Sequence, residues 1–161
     1  MGWITVVKSE PIESWSAYKR HVRGLVTAYG RQGVIVDPSS LRFLDSPFQE
    51  GGAVYTIEPG FEFKDRARLL VSEEVVIREG EVIRPRYKYM YDRAGGYAFR
   101  YEREPTDNPV WKPEFHLHVI LDVPHFNACA MSLEQVLDLI GANFYSERAG
   151  DVLGMKVELS V

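Results

Sequence analysis

The chain has 161 residues, 45% apolar and 26% charged, which is enough for one domain with a sizeable core and too apolar for intrinsic disorder. A net charge of −4 gives no bulk support for nucleic-acid or membrane affinity, although 19 Lys and Arg leave room for a local basic patch. The single cysteine excludes an intrachain disulfide, and within one chain it excludes a zinc site built on two or four cysteines.

Trp3 to Val7 is apolar and β-branched enough for a short strand. Ser9-Glu10-Pro11 predicts a helix start, with Ser as N-cap and Pro in the first turn. Trp15, Tyr18, Val22, Leu25, Val26 and Tyr29 then recur at helical spacing, and Gly30 is a natural stop. Lys19, Arg20, His21 and Arg23 make this helix locally basic. That pattern reads first as a solvated outer face and second as a surface for nucleic acid. Gly33 to Asp37 suits a short strand. The Pro, Ser and Gly punctuation over 37–52 marks a seam inside a single domain, between an N-terminal helical appendage at 1–52 and a main sheet with a C-terminal helix at 53–161.

From Ala53 the texture turns to β. Ala53, Tyr55 and Ile57 alternate with Val54, Thr56 and Glu58. Leu69, Val71, Val75 and Ile77 share a face that Glu73 interrupts. Arg78-Glu79-Gly80-Glu81 predicts a hairpin loop. Tyr87, Tyr89 and Tyr91 then oppose Arg86, Lys88, Met90 and Asp92. After the Ala94-Gly95-Gly96 reversal, Tyr97, Phe99 and Tyr101 alternate with Ala98, Arg100 and Glu102. The aromatic face of this hairpin reads first as cross-strand pairs over a core. Its second reading is a stacking platform or interface.

Pro105, Pro109 and Pro113 predict a stiff, extended loop from Glu104 to Glu114. It leads to Phe115-His116-Leu117-His118-Val119-Ile120-Leu121-Asp122-Val123, the cleanest period-two run in the chain. The odd positions are all apolar and are expected to be buried. His116, His118, Ile120 and Asp122 share the other, more exposed face. Cys129, between two alanines, reads as a small, inert hydrophobe. Ser132-Leu133-Glu134-Gln135 has the spacing of a capping box, followed by a stripe of Leu133, Val136, Leu137 and Ile140. Met155 to Val161 alternates as a closing strand.

Two imidazoles two residues apart on a strand point the same way and can share a metal ion. Asp122 would stand about 13 Å along the strand from His118, too far to join them, so His125 or Glu114 would have to complete the set. With only two ligands in register, no tightly bound ion and no other cofactor is expected. The second chemistry is acid–base: neighbouring histidines can supply an acid and a base near neutral pH. Arg100 or Lys88, on an adjacent strand, could hold a phosphate or stabilise developing charge. RNA cleavage needs that set of groups. The catalytic candidates are therefore His116, His118 and Arg100, with Lys88, Tyr101 and Glu102 as binding candidates. The bland reading of both histidines is the solvated face of a strand.

From about Ala53 to about Phe144 the chain resembles the TumE-like toxins of bacterial toxin–antitoxin modules. The resemblance is carried by Arg86-Tyr87-Lys88-Tyr89, a Gly-containing turn, Phe99-Arg100-Tyr101-Glu102, the proline-rich loop ending in Phe115-His116-Leu117-His118, and Ser132-Leu133-Glu134-Gln135-Val136-Leu137. The family pattern after the hairpin is similar to Arg-Tyr-Asp-Asn, a proline, two histidines and a histidine-rich cluster. This chain keeps Arg100-Tyr101 and His118. It has Glu102-Arg103 for the Asp-Asn pair and Thr106-Asp107 for the two histidines after Pro105. The resemblance implies a small toxin neutralised by a cognate antitoxin protein.

The expectation is thus an α+β domain: a curved antiparallel sheet of about five or six strands carrying an N-terminal and a C-terminal helix. No apolar run approaches the roughly 18 residues of a membrane span, and the N-terminus lacks the pattern of a signal peptide. A cytoplasmic protein without a membrane partner is expected, with homo-oligomerisation left open. Its function is expected to be toxin-like action on RNA through a His/Arg site, by a metal-independent ribonuclease-type activity if it is an enzyme. A non-catalytic binding or assembly protein using the aromatic hairpin face is the alternative.

Overall fold

The computed structural model describes residues 12–32, 34–48, 52–96 and 98–145. The expected strands at 3–7 and 155–161 and the expected helix start at Ser9-Glu10-Pro11 lie outside the described residues. Helix α1 runs Trp15–Arg31, and the Ser14 hydroxyl accepts from Ala17 N at 3.2 Å as its N-cap. Tyr18, Val22 and Val26, four residues apart, are its buried stripe.

Among the described residues eight antiparallel strands follow: β1 (Ile35–Val36), β2 (Arg42–Phe48), β3 (Gly52–Phe63), β4 (Arg68–Arg78), β5 (Glu81–Asp92), β6 (Ala98–Arg103), β7 (Phe115–Val119) and β8 (Phe126–Asn127). They form one open sheet in the order β1-β3-β4-β5-β6-β7-β8, with β2 also pairing along β3. Helix α2 (Leu133–Ile140) follows the sheet and passes into a π-helical turn at Gly141–Tyr145. The fold class is the expected one, and the sheet is wider than five or six strands because β1, β2 and β8 add to its margins.

The sequence sets 1–52 apart as an appendage, but the described part of that stretch belongs to the sheet and its core. β1 and β2 pair with β3, and Trp15 Nε1 donates to Asp45 Oδ2 on β2 at 2.8 Å. Lys19 Nζ reaches the same carboxylate at 3.2 Å, and the Arg23 guanidinium lies 5.0 Å from the Phe43 ring centroid. Two of the basic side chains of α1 are thereby committed to β2 rather than left for a polyanion.

Period-two alternation assigns the two sheet faces. Tyr55, Ile57, Leu69, Val71, Val75, Tyr87, Tyr89, Tyr91, Phe99, Tyr101 and Leu117 are buried in the core with the stripes of α1 and α2. The aromatics pair across strands as expected: Tyr89 stands opposite both Val71 and Tyr101, and Tyr91 opposite Phe99. An exposed aromatic platform is therefore ruled out for Tyr87, Tyr89, Tyr91, Phe99 and Tyr101, and the assembly alternative loses the face it was to use. The capping box forms as the spacing predicts, Gln135 N to Ser132 Oγ at 3.2 Å and Ser132 N to Gln135 Oε1 at 2.8 Å. Tyr87 Oη accepts from Met131 N at 2.9 Å, which fixes the entry of α2 onto the sheet. Cys129 is exposed.

Glu73 does more than interrupt an apolar face. It is fully buried beneath α1, where Tyr18, Tyr55 (2.9 Å) and Tyr89 donate to its carboxylate and Arg84 Nε lies 3.6 Å away. A buried carboxylate needs this many partners to be tolerated.

Candidate functional site

Opposite the helices, the pairing register lines up one polar row across five strands: Thr56, Ser72, Lys88, Glu102 and His116. A parallel row runs Leu70, Met90, Arg100 and His118. Each of these side chains comes from the same alternation that sends its neighbours into the core. Arg100, Glu102, His116 and His118 meet where the two rows cross β6 and β7.

The meeting point is one carboxylate oxygen. Glu102 Oε2 lies 3.2 Å from His116 Nε2, 3.1 Å from His118 Nε2 and 3.2 Å from Arg100 Nε. Lys88 Nζ reaches the other oxygen at 3.6 Å. Arg100 Nη2 also donates to His118 Nε2 at 3.1 Å, and Arg100 Nη1 donates to Asp122 Oδ1 at 3.1 Å. Partial burial acts to raise the Glu102 carboxyl, but Arg100, Lys88 and His118 outweigh it and hold the group below the usual carboxylate range. Burial, with Arg100 beside it, pushes the His118 imidazole below its ordinary range.

The histidine strand is shorter than its alternation predicts. It ends at Val119, because Ile120 takes a φ of 65° and Leu121 N donates to Val119 O at 2.7 Å, closing a three-residue turn. Ile120 N meanwhile donates to Ala98 O on β6 at 2.9 Å. The reversal returns the Asp122 carbonyl to 2.8 Å from His118 Nδ1 and carries His125 back over the other two imidazoles. Ring centroids are 5.0 Å apart for His116 and His118, 5.2 Å for His116 and His125, and 4.7 Å for His118 and His125. The prolyl loop closes the far side, with Glu104 N donating to Glu114 O at 3.0 Å and the Trp111 ring 6.4 Å from His125.

The expectation that odd positions are buried and even ones more exposed holds at Leu117, Ile120 and Asp122 and fails at His116, His118, Leu121 and Val123. Leu117 is buried, but so are His116 and His118, at 0% and 4% exposure, while Leu121 and Val123 beyond the turn are exposed. The turn at Ile120 is the reason, since it folds residues 121–125 back over the polar side of the strand. Asp122, placed about 13 Å away by strand rise, instead pairs with Arg100. Arg100, Lys88, Glu102, His116 and His118 come together as one cluster. Tyr101 does not join them, because it lies on the core face opposite Tyr89 and Leu117. Glu114 pairs with Arg103 Nε at 2.8 Å. His125 was legible only as one of two possible partners, and nothing in Pro124-His125 signals the reversal.

Two grooves of about 400 and 420 Å³ open along this face, both lined by Ser72 and Lys88. The first reaches Glu102 and also carries Glu74, Arg86 and Glu104, and the second is walled by Thr56, Pro59, Leu70 and Met90. Lys88 and Glu102 thus stand between an open groove and the buried imidazoles. Such a set can bind an anion at Arg100 and Lys88 and can move a proton between Glu102 and the rings behind it. No helix among the described residues is long and apolar enough to cross a membrane. No family model, curated protein or solved structure matches the chain.

Proposed function

We propose that the protein is a toxin-like component of a bacterial toxin–antitoxin module, held in check by a cognate antitoxin, and that it acts on RNA in the cytoplasm. The observation that supports this reading is the convergence of His116 Nε2, His118 Nε2 and Arg100 Nε on the single oxygen Glu102 Oε2 at 3.1–3.2 Å. A carboxylate and imidazoles in contact form a proton-accepting set, and Arg100 with Lys88 supplies the positive charge that a phosphodiester needs as it reacts. In this reading the base takes the proton of the RNA 2′-hydroxyl and the 2′-oxygen bonds to the adjacent phosphorus. The 5′-oxygen then leaves as an alcohol with a proton from the same cluster. The substrate touches Lys88, Arg100 and Glu102, while His116 and His118 lie beneath and exchange protons through Glu102. The resemblance to TumE-like toxins contributes the biological setting.

Growth after induction tests the setting. Induction of the protein alone should slow growth, and Arg100→Ala at equal soluble level should restore it. Unimpaired growth with abundant soluble wild-type protein would count against the reading.

A further inference from the structure

We propose that His116, His118 and His125, with Glu102, bind one transition-metal ion of the zinc class. The argument starts from tautomers. His116 Nδ1 lies 2.7 Å from Pro113 O, and His118 Nδ1 lies 2.8 Å from Asp122 O. A carbonyl only accepts, so each neutral ring carries its proton on Nδ1 and presents a lone pair at Nε2. Backbone carbonyls behind Nδ1 are the usual outer support of metal-ligating histidines.

Both Nε2 atoms face Glu102 Oε2, at 3.2 and 3.1 Å. An ionised carboxylate only accepts as well. Lone pairs from two rings and one carboxylate thus converge, and a cation is what that geometry accommodates. Arg100 fills part of the role through Nη2 on His118 Nε2, but no such donor is recorded on His116 Nε2 among the described residues. The third ring brings a further donor. His125 Nδ1 is enclosed and has no hydrogen-bond partner among the described residues. One donor nitrogen from each of the three rings lies within 4.8 Å of the others.

Two of the distances suit a small tetrahedral ion. Metal–ligand bonds of about 2.0–2.1 Å give tetrahedral edges of about 3.3 Å, close to the 3.1–3.2 Å between Glu102 Oε2 and the two Nε2 atoms. His125 has farther to travel, and it sits on the 120–125 turn, whose Leu121 and Val123 are exposed. Three imidazoles with one carboxylate and no thiolate select Zn²⁺, Co²⁺ or Ni²⁺ over Mg²⁺ or Ca²⁺, which take oxygen ligands. Two histidines in register were too few to expect an ion. The third, delivered by the Ile120 turn, changes that.

This site deepens the RNA reading and rests on the same residues, because an ion there occupies the lone pairs that accept protons and makes the loaded protein the inactive form. Its test uses no RNA. The full chain, stripped with EDTA, is titrated with Zn²⁺ in a calorimeter and with Co²⁺ in a visible spectrophotometer. One equivalent and the intense visible bands of tetrahedral Co²⁺ are expected. His118→Ala and His125→Ala should each weaken binding at least tenfold. Arg100→Gln, by removing the competing donor, should leave it unchanged or tighter. Should His118→Ala not fold, His125→Ala, on the exposed turn, carries the comparison, with circular dichroism as the check on folding. Absence of stoichiometric binding, or binding indifferent to His125→Ala, overturns the proposal. Zinc binding by a protein that cleaves no RNA supports the ion site and overturns only the RNA reading.

Discussion

The carbonyl oxygen of Asp122 lies 2.8 Å from Nδ1 of His118, four residues earlier in a run whose alternation gives no sign of a bend. That contact fixes the ring's orientation and accompanies the return of the chain over the strand. His118 is therefore held from both ends, by Asp122 O at Nδ1 and by the Arg100 guanidinium at Nε2. It is a buried, hydrogen-bonded histidine, not a side chain laid on a finished surface.

Stability should register the difference. From the strand pattern alone, His118→Ala would cost within about half a kcal/mol, as a surface change does. Its burial and the partners it would orphan raise the expected loss to about 1–3 kcal/mol. Leu117→Ala on the core face should cost about 2–5 kcal/mol. Urea midpoints for the two variants measure both, and a His118→Ala midpoint equal to wild type would show that the Asp122 contact carries no stability.

Glu73 offers a second measurement. Replacement by Leu leaves the hydroxyls of Tyr18, Tyr55 and Tyr89 without their acceptor and the Arg84 guanidinium without its carboxylate, with only Tyr18 Oη left to accept from Arg84 Nε at 3.3 Å. The loss should be about 3–5 kcal/mol, the scale for breaking a buried charge pair. Tyr55→Phe and Tyr89→Phe added to Glu73→Leu should recover part of it, since fewer buried donors are then unsatisfied while Tyr18 Oη still accepts from Arg84 Nε. A triple variant less stable than Glu73→Leu would contradict this.

The same cluster sets an alkaline limit. Burial first, and then the Glu73 charge, raise Tyr18, Tyr55 and Tyr89 well above the ordinary tyrosine range, and burial pushes Tyr91 up to about 12. Unfolded tyrosines titrate near pH ~10. Folded values above the unfolded one mean that this stability is fully present below pH ~10 and drains away as pH rises through the folded values. Urea midpoints should hold up to pH ~10 and fall beyond it, with the phenolate absorbance of these residues rising only as the protein unfolds. Early ionisation with the fold intact would contradict the burial of these hydroxyls.

Much of the scaffold was legible in the sequence because it is local. Period two assigns the faces of β3 to β6, Ser132 and Gln135 announce the second helix, and His116 and His118 fall on one face by spacing alone. What escaped is set by contacts distant in the chain. Glu73 is an acid in an apolar face, and its tyrosine partners are 16, 18 and 55 residues away; tyrosines on the facing strands were the available signal. The strand end at Ile120 escaped for a different reason, since a β-branched residue rarely adopts positive φ. Its backbone is held there by Ala98 O on the neighbouring strand. His125 was hidden behind that turn, and with it the third imidazole of the cluster.

On the proposed function, Glu102, the imidazoles behind it and Arg100 act as one unit on RNA. The most direct test is incubation of purified, EDTA-stripped protein with single-stranded RNA, with the new ends identified chemically. Fragments ending in a 2′,3′-cyclic phosphate are expected, with no cleavage of the matching DNA and at least a hundredfold loss of rate in Arg100→Ala and Glu102→Gln variants confirmed to be folded. RNA left intact by the wild type, or cut at the same rate by the folded Arg100→Ala and Glu102→Gln variants, would contradict it.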